Sequence, residues 1–243
     1  MKKRIYLILL FIPAIFFSCK DNSGEFVEQL FTNDQIASAL KQCITVASDS
    51  TLNTLCVVDT TKHEYGYTHY ADSTYRITLP ASAKQVVDTL NVYGYKNQID
   101  TLILRINRAA ELCGNKIKIQ FWDTLVKSIT FPNPNLILHG GDNAITNFVK
   151  ETKQSELNTL LETSILVEQF NTLQVIQRWN MLQKKYSEIT GDYPSIDILV
   201  PSVRQMSSGF FKKMSSVEEA VRRYPELRGN KNGMLYQVFA TLK

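Results

Sequence analysis

The sequence predicts an all-α protein: a single multi-helix domain of roughly eight to ten helices, with a short irregular or extended segment near residues 59–79. Three observations carry this. Apolar residues recur at helical spacing along most of the chain. The clearest run is Ile99, Leu102, Ile103, Ile106, Ala110 and Cys113, which form one stripe. Gly and Pro are few, 10 and 7 in 243 residues, so long elements go uninterrupted. Strand-like alternation is brief and falls at Tyr75–Leu79.

The chain opens on Lys2, Lys3 and Arg4, then an uncharged apolar run over 5–17 that ends in Ser18-Cys19 and a polar stretch. The run is too short to cross a bilayer, which takes roughly 20 apolar residues, and it fits the apolar region of a secretory signal. A small residue directly before a cysteine at that point resembles a lipoprotein signal-peptidase site. The expected organisation is a lipoprotein signal peptide over 1–18, a lipid-anchored tether over 19–31 with Cys19 as the anchor, and a helical domain over 32–243. Cleavage removes three positive charges. Lys plus Arg falls to 24 against 23 Asp plus Glu, and that near-neutral balance argues against nucleic acid as a partner.

Thr32 or Asn33 caps the first expected helix, with Ile36, Ala37, Leu40, Ile44 and Ala47 inside and Leu52, Leu55 and Val58 as its continuation. Residues 59–79 are rich in Thr, Tyr, Asp and His and show no stripe. Pro80 permits a new start, and Gly94 ends that helix. After the stripe from Gln98 to Cys113, Gly114-Asn115 reads as a turn. Ile117, Phe121, Trp122, Leu125 and Ile129 form the next inner face. Phe131–Asn135 holds two prolines and reads as a loop. Asp142 looks like the N-cap of a helix through Val149, and Ser155-Glu156 opens another. Further helices carry Leu173–Ile189, then Leu199–Tyr224 stopped by Pro225, then Gly233–Leu242. Ser216 with Glu219 fits a capping box or the surface of a continuous helix.

Of the three cysteines beyond Cys19, Cys113 reads as a buried small apolar residue. Cys43 and Cys56 pair only if the chain turns between them, near Ser48-Asp49-Ser50. No Cys-x-x-Cys motif supports redox or zinc chemistry.

Several of these residues resemble a known family. Ile106-Asn107-Arg108-Ala109-Ala110-Glu111, then Leu138-His139-Gly140-Gly141-Asp142-Asn143-Ala144 leading to Phe148, is similar to the domain of unknown function 4197. Its members are exported proteins with an "Asn-Arg-Ala-Ala-Glu" run and a "Leu-Asn-Gly-Gly-Asp-Asp-Ala-Ala-Thr" turn. Arg76–Pro80 and Leu235–Phe239 resemble further family segments, and the likeness spans roughly residues 32 to 242. His139 and Asn143 depart from the family's Asn and Asp. The resemblance implies a fold and an exported location, not an activity.

The candidate binding residues are Asn107, Arg108, Glu111, His139, Gly140, Gly141 and Asp142. Arg108 and Glu111 are three apart and meet on one side of a helix. They form either a polar binding cleft or an interior ion pair that locks packing, and the latter is the simpler reading. The two glycines before a helix permit positive φ and close backbone approach, and a helix N-terminus offers N–H groups to an anion. Asp142 as a cap would already occupy those groups. His63 and His69, with Asp59, Glu64 and Asp72, match no standard metal spacing. Tyr65, Tyr67, Tyr70 and Tyr75 suit a contact surface or packing on the core. No hydrolase elbow, His-Glu-x-x-His or nucleotide loop appears, so no catalytic residue, metal or cofactor is expected. The expected function is a membrane-anchored lipoprotein of the bacterial cell envelope, non-catalytic, that binds an envelope protein or small ligand. The alternative is a hydrolase-like enzyme with a polar cleft around Arg108 and His139–Asp142.

Overall fold

Helix α1, Asn33–Leu55, begins with a complete capping box. The Thr32 hydroxyl accepts the Gln35 N–H, and the Gln35 side chain accepts the Thr32 N–H. Its buried face (Ile36, Leu40, Cys43, Ile44, Ala47 and Leu55) is the one the sequence indicates. The computed structural model describes residues 31–59, 65–68 and 74–242, and these are all-α with no strand among them. The expected signal peptide, Cys19 and most of the expected tether lie outside the described residues.

A 3-10 turn, Ala81–Ala83, leads from Pro80 into α2, Lys84–Val92. Gly94 ends it at φ +87, the left-handed conformation that glycine adopts without strain. Helix α3, Lys96–Leu112, buries Ile99, Leu102, Ile106, Ala109 and Ala110. The expected turn at Gly114-Asn115 is absent, because α4 (114–128) begins at Gly114 itself. A Cβ at Gly114 would lie 2.7 Å from Cys56 Cβ, so the glycine serves close approach rather than chain reversal.

Helix α5, Pro134–Leu138, places Pro134 at its first position, and Asn133 accepts the Leu136 N–H at 3.0 Å. The loop expected over Phe131–Asn135 is thus shorter than its prolines suggest. Helix α6 runs over 144–172 without the interruption expected before Ser155. Helix α7, Val175–Thr190, ends at Gly191. Helix α8, Leu199–Arg223, is capped by the Asp197 carboxylate, which accepts the Leu199 and Val200 N–H groups. It passes through Ser216, whose hydroxyl donates to the Lys212 carbonyl, so no capping box forms there. Helix α9 is Met234–Phe239. The nine labelled helices among the described residues fall within the expected eight to ten.

Helices α4 and α6 each contain a π turn, at Lys118–Trp122 and Leu161–Ile165. The cause is legible in the residue spacing. Ile117, Phe121, Leu125 and Ile129 are buried at unbroken steps of four, as are Leu157, Leu161 and Ile165. A helix of 3.6 residues per turn rotates such a stripe steadily off its face. A π turn holds one extra residue and keeps the stripe on the core. The regular helix α3 instead mixes steps of three and four.

Helix α1 packs on α8, α9, α5 and α4. Between α4 and α8, the Trp122 ring stacks on Phe210 at 5.1 Å, with Phe211 edge-on at 6.1 Å. Two arginines close helix C-termini. Arg105 donates to the Leu173 carbonyl beyond α6, and Arg228 donates to the Val221 and Arg222 carbonyls at the end of α8.

Cys43, Cys56 and Cys113 are free thiols. Cys43 lies within α1 and Cys56 is its C-cap, so 13 residues of helix hold them roughly 20 Å apart and no turn brings them together. Burial pushes the Cys113 thiol up to about 12 from its ordinary 9.0, and raises Cys43 and Cys56 as well. The folded chain therefore retains protons that the unfolded chain releases above about pH 9. Stability from these thiols is fully present below that pH and falls as pH rises toward 12. The expected slope is about 1.4 kcal/mol per pH unit for each thiol. Urea unfolding at a series of pH values above 9 measures it, and Cys113→Ala is expected to flatten the slope.

Candidate functional site

The residues at 65–68 and 74–80 have no strand to pair with, and side chains satisfy their backbone instead. Asn107, buried on α3, accepts the Ile77 N–H at 2.8 Å and donates to the Ile77 carbonyl at 2.8 Å. Its second donor hydrogen reaches the Ile103 carbonyl. Gln205 on α8 treats the next residue alike, accepting the Thr78 N–H at 3.0 Å and donating to the Thr78 carbonyl at 2.9 Å. The two amides act as short strand edges on either side of an extended dipeptide. Glu111 accepts the Thr68 N–H at 2.7 Å. Gly66, at φ +89, lets that segment pass the same carboxylate, since a Cβ there would come within 2.5 Å of Glu111 Oε1. Tyr67 is fully buried, and its hydroxyl donates to the Met206 carbonyl. It packs on the core, while Tyr65 is exposed. His63, Glu64, His69, Tyr70 and Asp72 lie outside the described residues.

Arg108 Nη1 lies 2.6 Å from Glu111 Oε2. The approach is off the N–H direction, so the contact is ionic rather than a directed hydrogen bond. The Arg108 side chain is one-quarter exposed and covers a fully buried Glu111. Glu111 and Asn107 thus hold Thr68 and Ile77 against α3, and Arg108 pairs with the Glu111 carboxylate.

The turn at His139–Asp142 is exposed throughout. Neither Gly140 nor Gly141 takes positive φ. Gly140 is required because a Cβ there would lie 2.6 Å from Ala144 Cβ. Asp142 does not cap α6. That role falls to Glu218, which reaches across from α8 and accepts the Ile145 N–H at 3.0 Å and the Thr146 N–H at 2.7 Å. Glu218 also accepts from Arg222 Nε at 2.9 Å, and Arg222 donates to the Leu138 carbonyl at 2.8 Å and the Ile137 carbonyl at 3.3 Å. One buried ion pair therefore closes the end of α5 and the start of α6, complementing both helix dipoles. Asp142 pairs at the surface with Arg223 at 2.7 Å, and Glu219 shares that partner at 2.9 Å. Asp142→Asn is accordingly expected to move the melting temperature by no more than about 2 °C, as an exposed pair would. Thermal unfolding by circular dichroism checks this.

A groove of about 630 Å³ lies between α6 and α8. Asn147 and Lys150 line one wall, Ser208, Lys212 and Ser216 the other, with Phe211 in its lining and Asp142 beside its Arg223 partner. Thr146 also lines it. That residue is 1 % exposed, and its hydroxyl has no hydrogen-bond partner among the described residues. A second cavity of about 440 Å³ shares Ser208 and Lys212 and continues to Arg76 and Arg204. Among the described residues, Lys150, Lys212, Arg204 and Arg76 have no carboxylate within ion-pair distance. Of the seven sequence candidates, Asp142 alone lines this groove. The sequence reading missed Glu218 and Arg222, whose i, i+4 spacing around the apolar Val221 is a signal of pairing. It also missed Thr146, Lys150 and Lys212, which no motif marks. No described group of three or more His, Cys, Asp or Glu residues is placed to hold a metal.

No curated protein and no solved structure matches the chain. A family model described as Protein of unknown function (DUF4197) matches residues 30–240, from just before the Thr32 cap to the end of α9. The match takes in both the Asn107–Glu111 run and the His139–Asp142 turn, and the chain belongs to that family.

Proposed function

We propose that the protein is a lipid-anchored, non-catalytic binding module of the bacterial cell envelope, with the α6–α8 groove as its ligand-facing surface. The observation that carries the binding role is the groove itself: a polar cavity of a size to take a small ligand, lined by Asn147, Lys150, Ser208 and Lys212. Anchoring is supported by the basic, apolar and Ser18-Cys19 order of the N-terminus. A hydrolase-like reading is less favoured, because Glu111 already serves the Thr68 N–H and Arg108, while Asp142 is engaged by Arg223.

In-cell crosslinking of the full-length chain with mass spectrometry tests this, alongside metabolic labelling with an alkynyl fatty acid. The expected result is fatty-acid label on the wild type but not on Cys19→Ala, and a specific partner or ligand adduct at the groove. Absence of label on the wild type would overturn the anchoring. Substrate turnover abolished by Arg108→Ala or Asp142→Ala in a folded domain would overturn the non-catalytic reading.

A further inference from the structure

We infer that the cavity between α8 and the segment at 74–78 is a site for a small oxyanion with two or more negative charges, held by Arg76, Arg204 and Lys212. The inference rests on the binding reading above, since this cavity shares Ser208 and Lys212 with the α6–α8 groove, and it names the chemistry a ligand brings to that end. The cavity measures about 440 Å³, and its lining holds two guanidinium groups and one ammonium group but no carboxylate. The groove beyond Ser208, by contrast, includes Asp142 and Glu219 in its lining. Among the described residues, none of the three cations has a carboxylate within ion-pair distance. Exposed cations elsewhere do take such partners, as Lys84 does from Asp88, Lys116 from Glu168 and Arg223 from Asp142 and Glu219. Three like charges around one cavity repel one another, and an anion between them relieves that repulsion.

The fold sets where the cations stand. Arg204, Ser208 and Lys212 recur at steps of four and so share one face of α8. Arg76 comes from the extended segment that packs beside it. The residues that follow Arg76 are fastened in turn, Ile77 by Asn107 and Thr78 by Gln205, each through both its N–H and its carbonyl. Gln205 also lines the cavity and directly follows Arg204. One side chain therefore ties the segment that carries Arg76 to the helical turn that carries Arg204. The two backbones are in place before a ligand arrives, which lowers the ordering cost of binding. Each guanidinium presents a planar fork of N–H groups that takes two oxygens of one anion, carboxylate or phosphate alike, and Lys212 adds a point charge. A singly charged ligand leaves cations unmatched, so a dianion is preferred. Dicarboxylates and phosphates are two sources of this same chemistry.

The test is isothermal titration of the full chain in neutral detergent with succinate, inorganic phosphate, acetate and succinamide. Succinate, phosphate or both are expected to bind, acetate more weakly and the uncharged succinamide not at all. Arg76→Gln and Arg204→Gln should each weaken binding about tenfold or more, the scale of one lost charge-assisted hydrogen bond, and Lys212→Gln by several-fold. Lys184→Gln, on α7 and away from the cavity, should change nothing. Arg76→Lys and Arg204→Lys separate a built site from a diffuse basic surface, because they keep the charge and remove the fork. Weakened binding in these two variants supports the site, and binding equal to wild type overturns it. An unchanged melting temperature verifies that each variant folds. Preference for succinate identifies carboxylates as the source of the oxygens, and preference for phosphate identifies the phosphoryl group. If neither anion binds in a way that depends on Arg76 and Arg204, the oxyanion assignment is overturned. A crosslinked partner that persists in the Arg76→Gln/Arg204→Gln double variant would then show that the broader binding reading stands without it.

Discussion

Glu218→Ala is expected to destabilise the domain by about 3–5 kcal/mol, the range for breaking a buried ion pair from one side. The carboxylate is 1 % exposed and makes three hydrogen bonds. Its loss uncaps the start of α6 and leaves Arg222 charged in the interior with only carbonyl partners and the Phe239 ring, 5.5 Å away. For a domain of this size the melting temperature should fall by roughly 10 °C. Glu218→Gln retains one acceptor and should cost less. The discriminating measurement is a double-mutant cycle with Arg222→Met. Removing both charges should recover part of the loss, since an unpaired buried arginine is worse than none. Additive losses would show that capping, rather than pairing, accounts for the effect.

Asn107→Leu is expected to cost about 2–4 kcal/mol, although it exchanges a polar side chain for an apolar one of similar size in a buried position. Leucine neither donates nor accepts, so the Ile77 N–H and carbonyl lose their partners together. Ile77 itself is fully buried, so water reaches these groups only if the segment lifts away. Limited proteolysis should then cut near residues 74–80 in the variant at protease levels that spare the wild type. Gln205→Leu removes the neighbouring clamp at a more exposed position and should do the same more mildly. Equal resistance of Asn107→Leu and wild type would mean that apolar packing of Ile77 alone holds the segment.

Much of the helical order was legible because its signals are local. Thr32, Gly94 and Pro225 mark ends through chemistry that spans a few residues, and the α3 stripe follows the period of a regular helix. The α6 boundary was misread because Lys150–Glu156 is polar. That polar stretch packs on α8, where Gln154 donates to the Ser207 hydroxyl across the helix pair. The candidate residues show the same division. Asn107, Arg108 and Glu111 could be recognised as partly buried polar groups from the stripe beside them. What they hold could not be, because their partners at Thr68 and Ile77 lie in a stretch without periodicity. Asp142 had the right residue type and position for a cap, yet a carboxylate more than seventy residues away fills the role. Tertiary proximity of that kind leaves no trace in a local pattern.

The π turns give chain length a meaning in α4 and α6 that it lacks elsewhere. Each of these helices counts out one residue more than its pitch requires, and everything after that residue is phased by it. Dropping a single residue from 161–165 would still leave a sequence able to form an unbroken helix. It would also turn Leu166 and Phe170, both fully buried, by about 100° around the axis and away from the core. Along these stretches insertions and deletions are more disruptive than most exchanges of one apolar residue for another. The surplus residue behaves as a spacer whose presence matters more than its side chain.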